Sequence, residues 1–198
     1  MASKLTQITQ QKSASDLQAM SRESHRWLLT KINELRNVSQ IPRGIAGEDF
    51  RKERRFQLGK LYHFYYDPKG KEDLPYYDRF PLVLALEKYP DGFLGLNLHY
   101  LPVKYRVAFL DKLLDYAILD ADNDPRRIKI TYDILQASKR FKEFRPCIKR
   151  YLHGHIKSKI LTIQPKEWEV AVFLPTHLFK GAKPADVWKE SVDEIKHG

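Results

Sequence analysis

The fold is decided by residues 59–100, which read GKLYHFYYDPKGKEDLPYYDRFPLVLALEKYPDGFLGLNLHY. Residues 60–66 at its start place their side chains on alternate sides, and this period of two with aromatic enrichment predicts a β-strand. Pro68 and Gly70 then turn the chain, because proline presets φ and glycine supplies a positive φ. The stretch therefore opens with an aromatic strand followed by a turn.

Two further strand patterns follow, one over residues 82–89 and one over residues 93–100. The first is a mostly apolar run, and the second has large apolar side chains at alternate positions. Residues 90–92 are Pro-Asp-Gly, which is typical of a hairpin with a loop of about three to four residues. The stretch thus predicts a compact three-stranded antiparallel sheet, and we expect the rest of the chain to pack on it.

Helical patterns surround this β module. Apolar residues recur at helical spacing in three segments, residues 21–38, 103–118 and 184–195. Two shorter helices are expected over residues 132–139 and 146–152. In the second long segment the charged side chains, Arg106 and Asp111 among them, are expected to lie mostly away from the apolar face.

The remaining patterns complete an α+β interpretation. Residues 160–163 and 168–174 predict a second pair of strands. The fold class is therefore α+β, a small antiparallel β-sheet or partly open barrel packed with several helices and an extended N-terminal arm. Residues 1–20 are polar and bury too little apolar surface to order alone, so we expect an arm that is flexible or ordered by a partner. Residues 21–198 are expected to form a single α+β domain, with its β module at 59–100.

Composition narrows the function classes. The chain has 35 Lys and Arg against 25 Asp and Glu, a formal charge of +10. Such a balance favours a polyanionic partner or an acidic protein surface, with ordinary solubility charge as the alternative. A single cysteine, Cys147, excludes an internal disulfide and a cysteine-based zinc cluster. No apolar run has the length of a membrane span and the first residues lack the pattern of a signal peptide, so no membrane partner is expected.

The positive charge is concentrated in residues 139–159, hereafter the basic segment. Eight cations in it face one acidic residue, Glu143, and are the candidate nucleic-acid or acidic-partner residues: Lys139, Arg140, Lys142, Arg145, Lys149, Arg150, Lys157 and Lys159. Aromatic residues are interleaved among them. A face of this kind binds phosphates through charge, so it predicts salt-sensitive binding without base readout.

The loop between the first two predicted strands has two interpretations. Tyr76 and Tyr77 either stack on bases or fix an ordered loop onto the core. Carboxylates at Asp67, Asp73 and Asp78 cluster nearby, but they sit among turn residues, and we interpret them as part of the turn.

The sequence contains no catalytic constellation. No phosphate-binding glycine loop and no GxSxG nucleophile turn is present in the sequence. His153 and His155 are either a two-ligand metal pair or surface histidines, and His63 and His99 are expected to be half-buried on the sheet. Cys147 is either a packed small hydrophobe or a thiol activated at a helix start. We therefore expect no catalytic residue, no metal, no cofactor and no enzymatic activity.

Residues 55–195 resemble a family of small virion structural proteins from T-even-like contractile-tailed bacteriophages. The resemblance rests on GKLYHFYYDPK and LPYYDRFPLVLALEKYPDGFLGLNLHYLP, with RPCIKRYL, PKEWEVAVFLP and VWKESVDEI. It implies a non-enzymatic structural or assembly subunit of the tail, baseplate or neck, made in the host cytoplasm, located in the virion and bound to other phage virion proteins. The alternative is a virion protein that contacts or protects packaged DNA ends through its basic surface. The resemblance carries no functional residues with it.

Overall fold

The computed structural model describes residues 13–38, 56–119, 139–175 and 178–197. Four α-helices lie in these ranges: α1 (Ala14–Val38), α2 (Val103–Leu119), α3 (Trp168–Ala171) and α4 (Pro184–His197). The strands are β1 (Leu61–His63), β2 (Tyr77–Asp78), β3 (Leu82–Tyr89), β4 (Gly92–Asn97), β5 (Ile148–Leu152), β6 (Leu161–Ile163) and β7 (Phe179–Lys180). Shorter 3₁₀ segments cover Leu98–Tyr100, Lys139–Cys147, His153–His155 and Pro165–Glu167. No helix in the described ranges has the length and hydropathy needed to cross a bilayer.

Five strands form one open antiparallel sheet in the order β5-β4-β3-β1-β6. Strands β2 and β7 form a separate two-stranded ribbon. The predicted α+β class is confirmed, with an open sheet in place of a barrel. The predicted three-stranded sheet is the central part of it, β4-β3-β1.

The hairpin between β3 and β4 is tighter than predicted. Tyr89 pairs with Gly92, so its loop consists of two residues, Pro90 and Asp91. Strand β4 also ends at Asn97, before the predicted end at residue 100. The Asn97 side chain accepts a hydrogen bond from the backbone N–H of His99 at 3.0 Å, which starts a 3₁₀ turn. Short polar side chains compete with strand pairing in this way.

The first strand is shorter than predicted, because pairing covers only Leu61–His63 of residues 60–66. The predicted alternation of its side chains is confirmed, and the sheet buries both of its faces. Leu61 lies on the face that packs against the helices, in the larger core with Leu84 and Leu96. Tyr62 and Phe64 lie on the opposite face, in a second, mainly aromatic core. Successive side chains of a strand point to opposite sides, so a run of aromatic and aliphatic residues can supply both cores.

Two predicted elements are wrong. Residues 148–152 are strand β5 where residues 146–152 were predicted to be helical, because pairing with the free edge of β4 outweighs the local pattern. Residues 168–171 are helix α3 where a strand was predicted, and Trp168 and Ala171 are both buried at helical spacing. A short apolar run does not distinguish the two periods. The helix predicted at 132–139 lies, except for its last residue, outside the described residues.

Helix α1 begins at Ala14 rather than at the predicted Ser21. The backbone N–H and hydroxyl of Ser13 both donate to the Asp16 carboxylate, at 2.9 and 2.8 Å. In return, the backbone N–H of Asp16 donates to the Ser13 hydroxyl oxygen at 3.4 Å. This reciprocal arrangement caps the first turn and explains the earlier start. Residues 1–12 lie outside the described part of the chain, so the N-terminal arm stays a prediction.

Arg106 corrects the predicted exposed face of α2, because its side chain is completely buried. Its guanidinium donates to the carbonyl oxygens of Val172 at 2.7 Å, Leu174 at 3.2 Å and Leu101 at 3.1 Å. Asp111, on the same helix, is also buried. Helical spacing alone therefore identified the apolar stripe of α2 and missed the polar groups that pack beside it.

Candidate nucleic-acid interface

A cleft of about 580 Å³ opens between residues 66–78 and strand β5, and we refer to it as the tyrosine cleft. Its lining includes five tyrosines, Tyr66, Tyr76, Tyr77, Tyr100 and Tyr151. Three cations also line it: Lys69, Lys149 and Arg150. The cleft thus combines aromatic rings with positive charge. It lies where residues 66–78 meet the basic segment.

The ribbon of β2 and β7 holds one wall of the cleft in place. Tyr77 pairs with Lys180 across it, next to Gly181. Gly181 has a φ of +93°, and a Cβ there would lie 2.5 Å from the carbonyl oxygen of Pro75. Only glycine permits both the backbone conformation and this close approach. The wall therefore depends on a glycine far along the chain.

Tyr76 and Tyr77 have different roles. The Tyr76 hydroxyl donates a short hydrogen bond to Glu190 of α4, and its ring packs near Tyr100 and Phe179, with centroid distances of 6.1 and 6.2 Å. The interpretation that it fixes the loop onto the core is confirmed. Tyr77 is half-buried, and its hydroxyl makes no hydrogen bond within the described residues. Of these two tyrosines, Tyr77 is the one whose ring is available for stacking.

Lys149 is a half-buried cation in the lining of the cleft. Its Nζ lies 4.3 Å from the centroid of the Tyr100 ring, and no carboxylate of the described residues is within ion-pair distance of it. Burial lowers the pKa of Lys149, whereas the charges of Glu190 and Glu194 favour the ammonium form. Charges withdrawn from water are usually paired. A half-buried ammonium that faces a cleft is therefore suited to an anionic ligand.

Arg150 stands at the rim of the cleft and is held by the β3–β4 hairpin. Its guanidinium is 2.6 Å from the Asp91 carboxylate and 4.4 Å from the centroid of the Tyr89 ring. Both Arg150 and Asp91 are exposed, and an exposed ion pair of this kind contributes little to stability. A phosphate can therefore replace Asp91 as its partner at small cost.

The structure does not bring all eight predicted cations to the cleft. Arg145, Lys157 and Lys159 are exposed and lie outside its lining, and Lys157 donates to the carbonyl oxygen of Gly154 at 2.8 Å. The other three belong to the 3₁₀ segment Lys139–Cys147, and their side chains are outside the described part: Lys139, Arg140 and Lys142. Lys149 and Arg150 are thus the two predicted residues that the cleft unites.

The acidic residue of the basic segment is already paired. Glu143 accepts a short hydrogen bond from the ammonium of Lys112 on α2, and the two form an ion pair. Because Lys112 lies outside the basic segment and balances the charge of Glu143, the segment's own cations are offset less than the sequence count indicates. The segment keeps its positive field.

Asp78 corrects the interpretation of the acidic loop residues as parts of a turn. It lies on β2 with 4% of its surface exposed. Its carboxylate accepts from Asn97 Nδ2 at 3.0 Å, His99 Nδ1 at 2.9 Å and Phe80 N–H at 3.0 Å. Burial acts to raise the pKa of Asp78, but the charge of His99 and these hydrogen bonds outweigh it and lower the pKa. The carboxylate is therefore fully engaged.

His63 and His99 are buried more deeply than predicted. Their ring centroids are 6.3 Å apart, and His63 Nδ1 lies 3.1 Å from the carbonyl oxygen of Pro81. Burial, with the charge of His99 as a smaller cause, lowers the pKa of His63 to about 4. Buried hydrogen bonds from His63 to the carbonyl of Pro81, and from Asn97 and His99 to Asp78, connect β1, β2 and the end of β4.

The other candidate reactive residues have structural contacts. Cys147 is buried, which raises its pKa, so the packed interpretation is confirmed over the activated thiol. His153 stacks on Phe56, with 5.6 Å between ring centroids, and His155 Nδ1 lies 2.7 Å from the carbonyl oxygen of Asp67. Among the described residues, no three His, Cys, Asp or Glu side chains are placed to hold a metal ion.

The cleft has the chemistry of a nucleotide site. Bases stack on aromatic rings regardless of sequence, and phosphates are bound by lysine and arginine. The sequence contained both signals, in Tyr77 and in the basic segment, without a sign that they meet. Lys69, Leu74 and Tyr100 also line the cleft and were not predicted as site residues, because nothing in their local pattern separates them from turn or core residues.

A scan against family models matches residues 3–190 to a family described as the phage T4 terminal DNA protecting protein. The predicted resemblance to T4-like phage proteins is confirmed at that level, and the description favours the DNA-end alternative over a tail or baseplate part. No curated protein and no solved structure gives a significant match. The match covers most of the chain, and the protein therefore belongs to the phage T4 terminal DNA protecting protein family.

Proposed function

We propose that this protein binds the ends of linear DNA and shields them from nucleases that degrade DNA from its termini. It acts by occupying the end, without catalysing a reaction, and it does so in the virion together with other phage proteins. The observation that carries the proposal is the position of Lys149, a half-buried ammonium without a carboxylate partner among the described residues, in a cleft lined by tyrosines. The family description supports DNA ends as the target.

Charge supplies the affinity in this proposal. The chain carries a net charge of +10, and exposed cations of the basic segment such as Arg145 and Lys157 are available to phosphates. Contacts to phosphates fix position and give affinity without reading sequence. This suits a protein that recognises the end of a DNA molecule and not a particular base sequence.

Competition for a labelled linear duplex tests the preference for ends. Unlabelled linear fragments of several lengths are compared at equal total base pairs, with closed circular DNA as the matched control. We expect competition to scale with the number of ends, so short fragments compete best and circles worst. Competition that follows base pairs alone, with circles equal to fragments, would contradict binding at ends.

A protection assay tests whether binding shields DNA ends from an exonuclease. The protein is added to linear duplex before an end-dependent exonuclease, and the rate of nucleotide release is measured. We expect slower release with the wild type and faster release with Lys149→Gln, because the variant removes the cation of the cleft. Lys104→Gln removes an exposed cation of α2 that lies outside the cleft and serves as the control. Equal protection by both variants would remove Lys149 from the proposed site.

A further inference from the structure

We infer that the tyrosine cleft receives a single terminal nucleotide whose base is unpaired, with the base stacked on Tyr77 and its phosphate at Lys149. This inference rests on the proposed function, because a nucleotide of this kind is available only at the end of a strand. Beyond the proposed function, it specifies that the recognised DNA has an unpaired terminal nucleotide, and it names the residues that bind this nucleotide.

Size restricts the ligand. A cleft of about 580 Å³ is within the roughly 300–1,000 Å³ of pockets that hold small ligands. It can enclose one nucleotide, and a base inside a duplex must first be unpaired and unstacked before it can enter. Taking a base out of the stack costs least where pairing is already weak or absent. A strand end meets this condition best, because its last pair is stacked on one side only.

Apolar surface is offered at the place where the base would lie. Tyr77 presents a half-buried ring whose hydroxyl has no hydrogen-bond partner among the described residues. Leu74 is 42% exposed, and Pro75 lies beside it on the same wall. Exposed leucine next to an aromatic ring is an apolar surface to which a planar ring binds without sequence preference.

Two cations are offered to the phosphate. Lys149 is held over Tyr100, and Lys69 also lines the cleft. Asp78 and Glu190 accept hydrogen bonds from the protein but keep their negative charge, and the charge of Glu194 also acts on Lys149. The phosphate is therefore bound by direct contact with the two cations, because the acidic residues offset the positive charge around them.

This arrangement explains protection in chemical terms. A nuclease that starts at a terminus must reach the last phosphodiester group. With the terminal nucleotide enclosed between Tyr77 and Lys149, that group is covered by the protein. Stacking on Tyr77 does not depend on which base is present, so the cleft can accept any DNA end.

A cycle of variants and DNA ends tests the inference with the full chain. Duplexes carry a one-nucleotide overhang that has either a normal base or an abasic sugar, in 5′ and in 3′ polarity. The wild type, Tyr77→Ala and Tyr77→Phe are compared by their dissociation constants, and thermal unfolding verifies that each variant is folded. Tyr77→Phe keeps the ring and is the matched control.

We expect removal of the base to weaken wild-type binding about tenfold in at least one polarity, which is the usual effect of one base–aromatic stack. Tyr77→Phe should retain this difference, and Tyr77→Ala should lose it. If the wild type prefers ends but the base makes no difference in either polarity, the cleft inference fails while the proposed function stands. If the wild type shows no preference for ends, the proposed function fails, and the inference with it.

Discussion

Arg106 shows how single residues hold this fold together. It lies in helix α2 and donates to carbonyl oxygens before α2 and after the short helix α3. The last carbonyls of a helix have no partner within the helix, so a buried guanidinium can satisfy them. Burial lowers the pKa of Arg106 to about 10, and the side chain therefore remains charged at neutral pH.

Arg106→Met should lower the free energy of unfolding by about 2–4 kcal/mol, since it leaves three buried carbonyls without their donor. Urea denaturation at pH 7 measures the change. Lys104→Met on the exposed side of the same helix is the control and should change stability by no more than about 0.5 kcal/mol. Equal values for the two variants would show that the hydrogen bonds of Arg106 add nothing.

His63 should make stability fall in acid. Its folded-state pKa of about 4 lies below the ordinary value of 6.5, so the unfolded chain takes up the proton first. Stability is complete above pH 6.5 and is lost as the pH falls to about 4, by a value on the order of 3 kcal/mol. The groups that face His63 are His99, Asp78 and the carbonyl of Pro81, and the lowered pKa of Asp78 adds a further loss at still lower pH.

Unfolding free energies measured in urea from pH 7 to pH 4 test this expectation. His63→Gln keeps a polar side chain that does not titrate, so it should flatten the profile in this window. A wild-type profile that is already flat between these limits would contradict the assignment to His63.

Strand β5 is the element on which the candidate site depends. It lies at one edge of the sheet, pairs with β4 through residues such as Phe93 and Tyr151, and carries Lys149 and Arg150. Lysine on an edge strand also discourages pairing with other chains. The closeness of β4 and β5 has a backbone cause, because a Cβ at Gly92 would lie 2.0 Å from the carbonyl oxygen of Tyr151.

Gly92→Ala should therefore force β5 away from β4. We expect a loss of roughly 1–3 kcal/mol in unfolding free energy, as for other overpacked sites, together with weaker binding of DNA ends. Gly154→Ala is the matched control, because its Cβ would meet no atom within 4 Å. Denaturation and the end-competition assay measure both effects. Unchanged stability in Gly92→Ala would mean that the edge strand is not held by this contact.

The whole molecule is a basic body with two cores on the two faces of one sheet. The helices cover the core around Leu84, and the aromatic core around Phe93 lies on the opposite face. The tyrosine cleft opens beside the edge strand β5, where the loop of residues 66–78 approaches it. In the proposed function charge and shape act together, because the net charge of +10 draws DNA to the protein and the cleft accepts an end.

Binding to linear DNA should be strongly salt-dependent. If about six phosphates are contacted, affinity should fall about a thousandfold between 50 and 200 mM salt. Lys157→Gln should reduce the slope of log affinity against log salt by about one, since one phosphate contact is lost. Fluorescence anisotropy measures the slope, with Lys104→Gln as the control that leaves it unchanged. A flat slope for the wild type would exclude phosphates as the main contact.

The sequence by itself determined the central sheet, the long helices α2 and α4, and the concentration of positive charge. Each of these follows from a local pattern: the two-residue period of residues 60–66, the helical period after Pro184, and the run of cations from residue 139. Patterns of this kind are set by neighbours in the chain, so they are visible without the fold.

The tertiary structure alone decided the strand β5, the burial of Arg106 and Asp78, and the presence of Tyr77 and Lys149 in the lining of one cleft. Each of these depends on groups far apart in the chain: an available edge on β4, unpaired carbonyls after α3, and a glycine at position 181 that holds the loop. Tertiary contacts override weak local preferences, and they bring together residues whose local sequence carries no sign of one another.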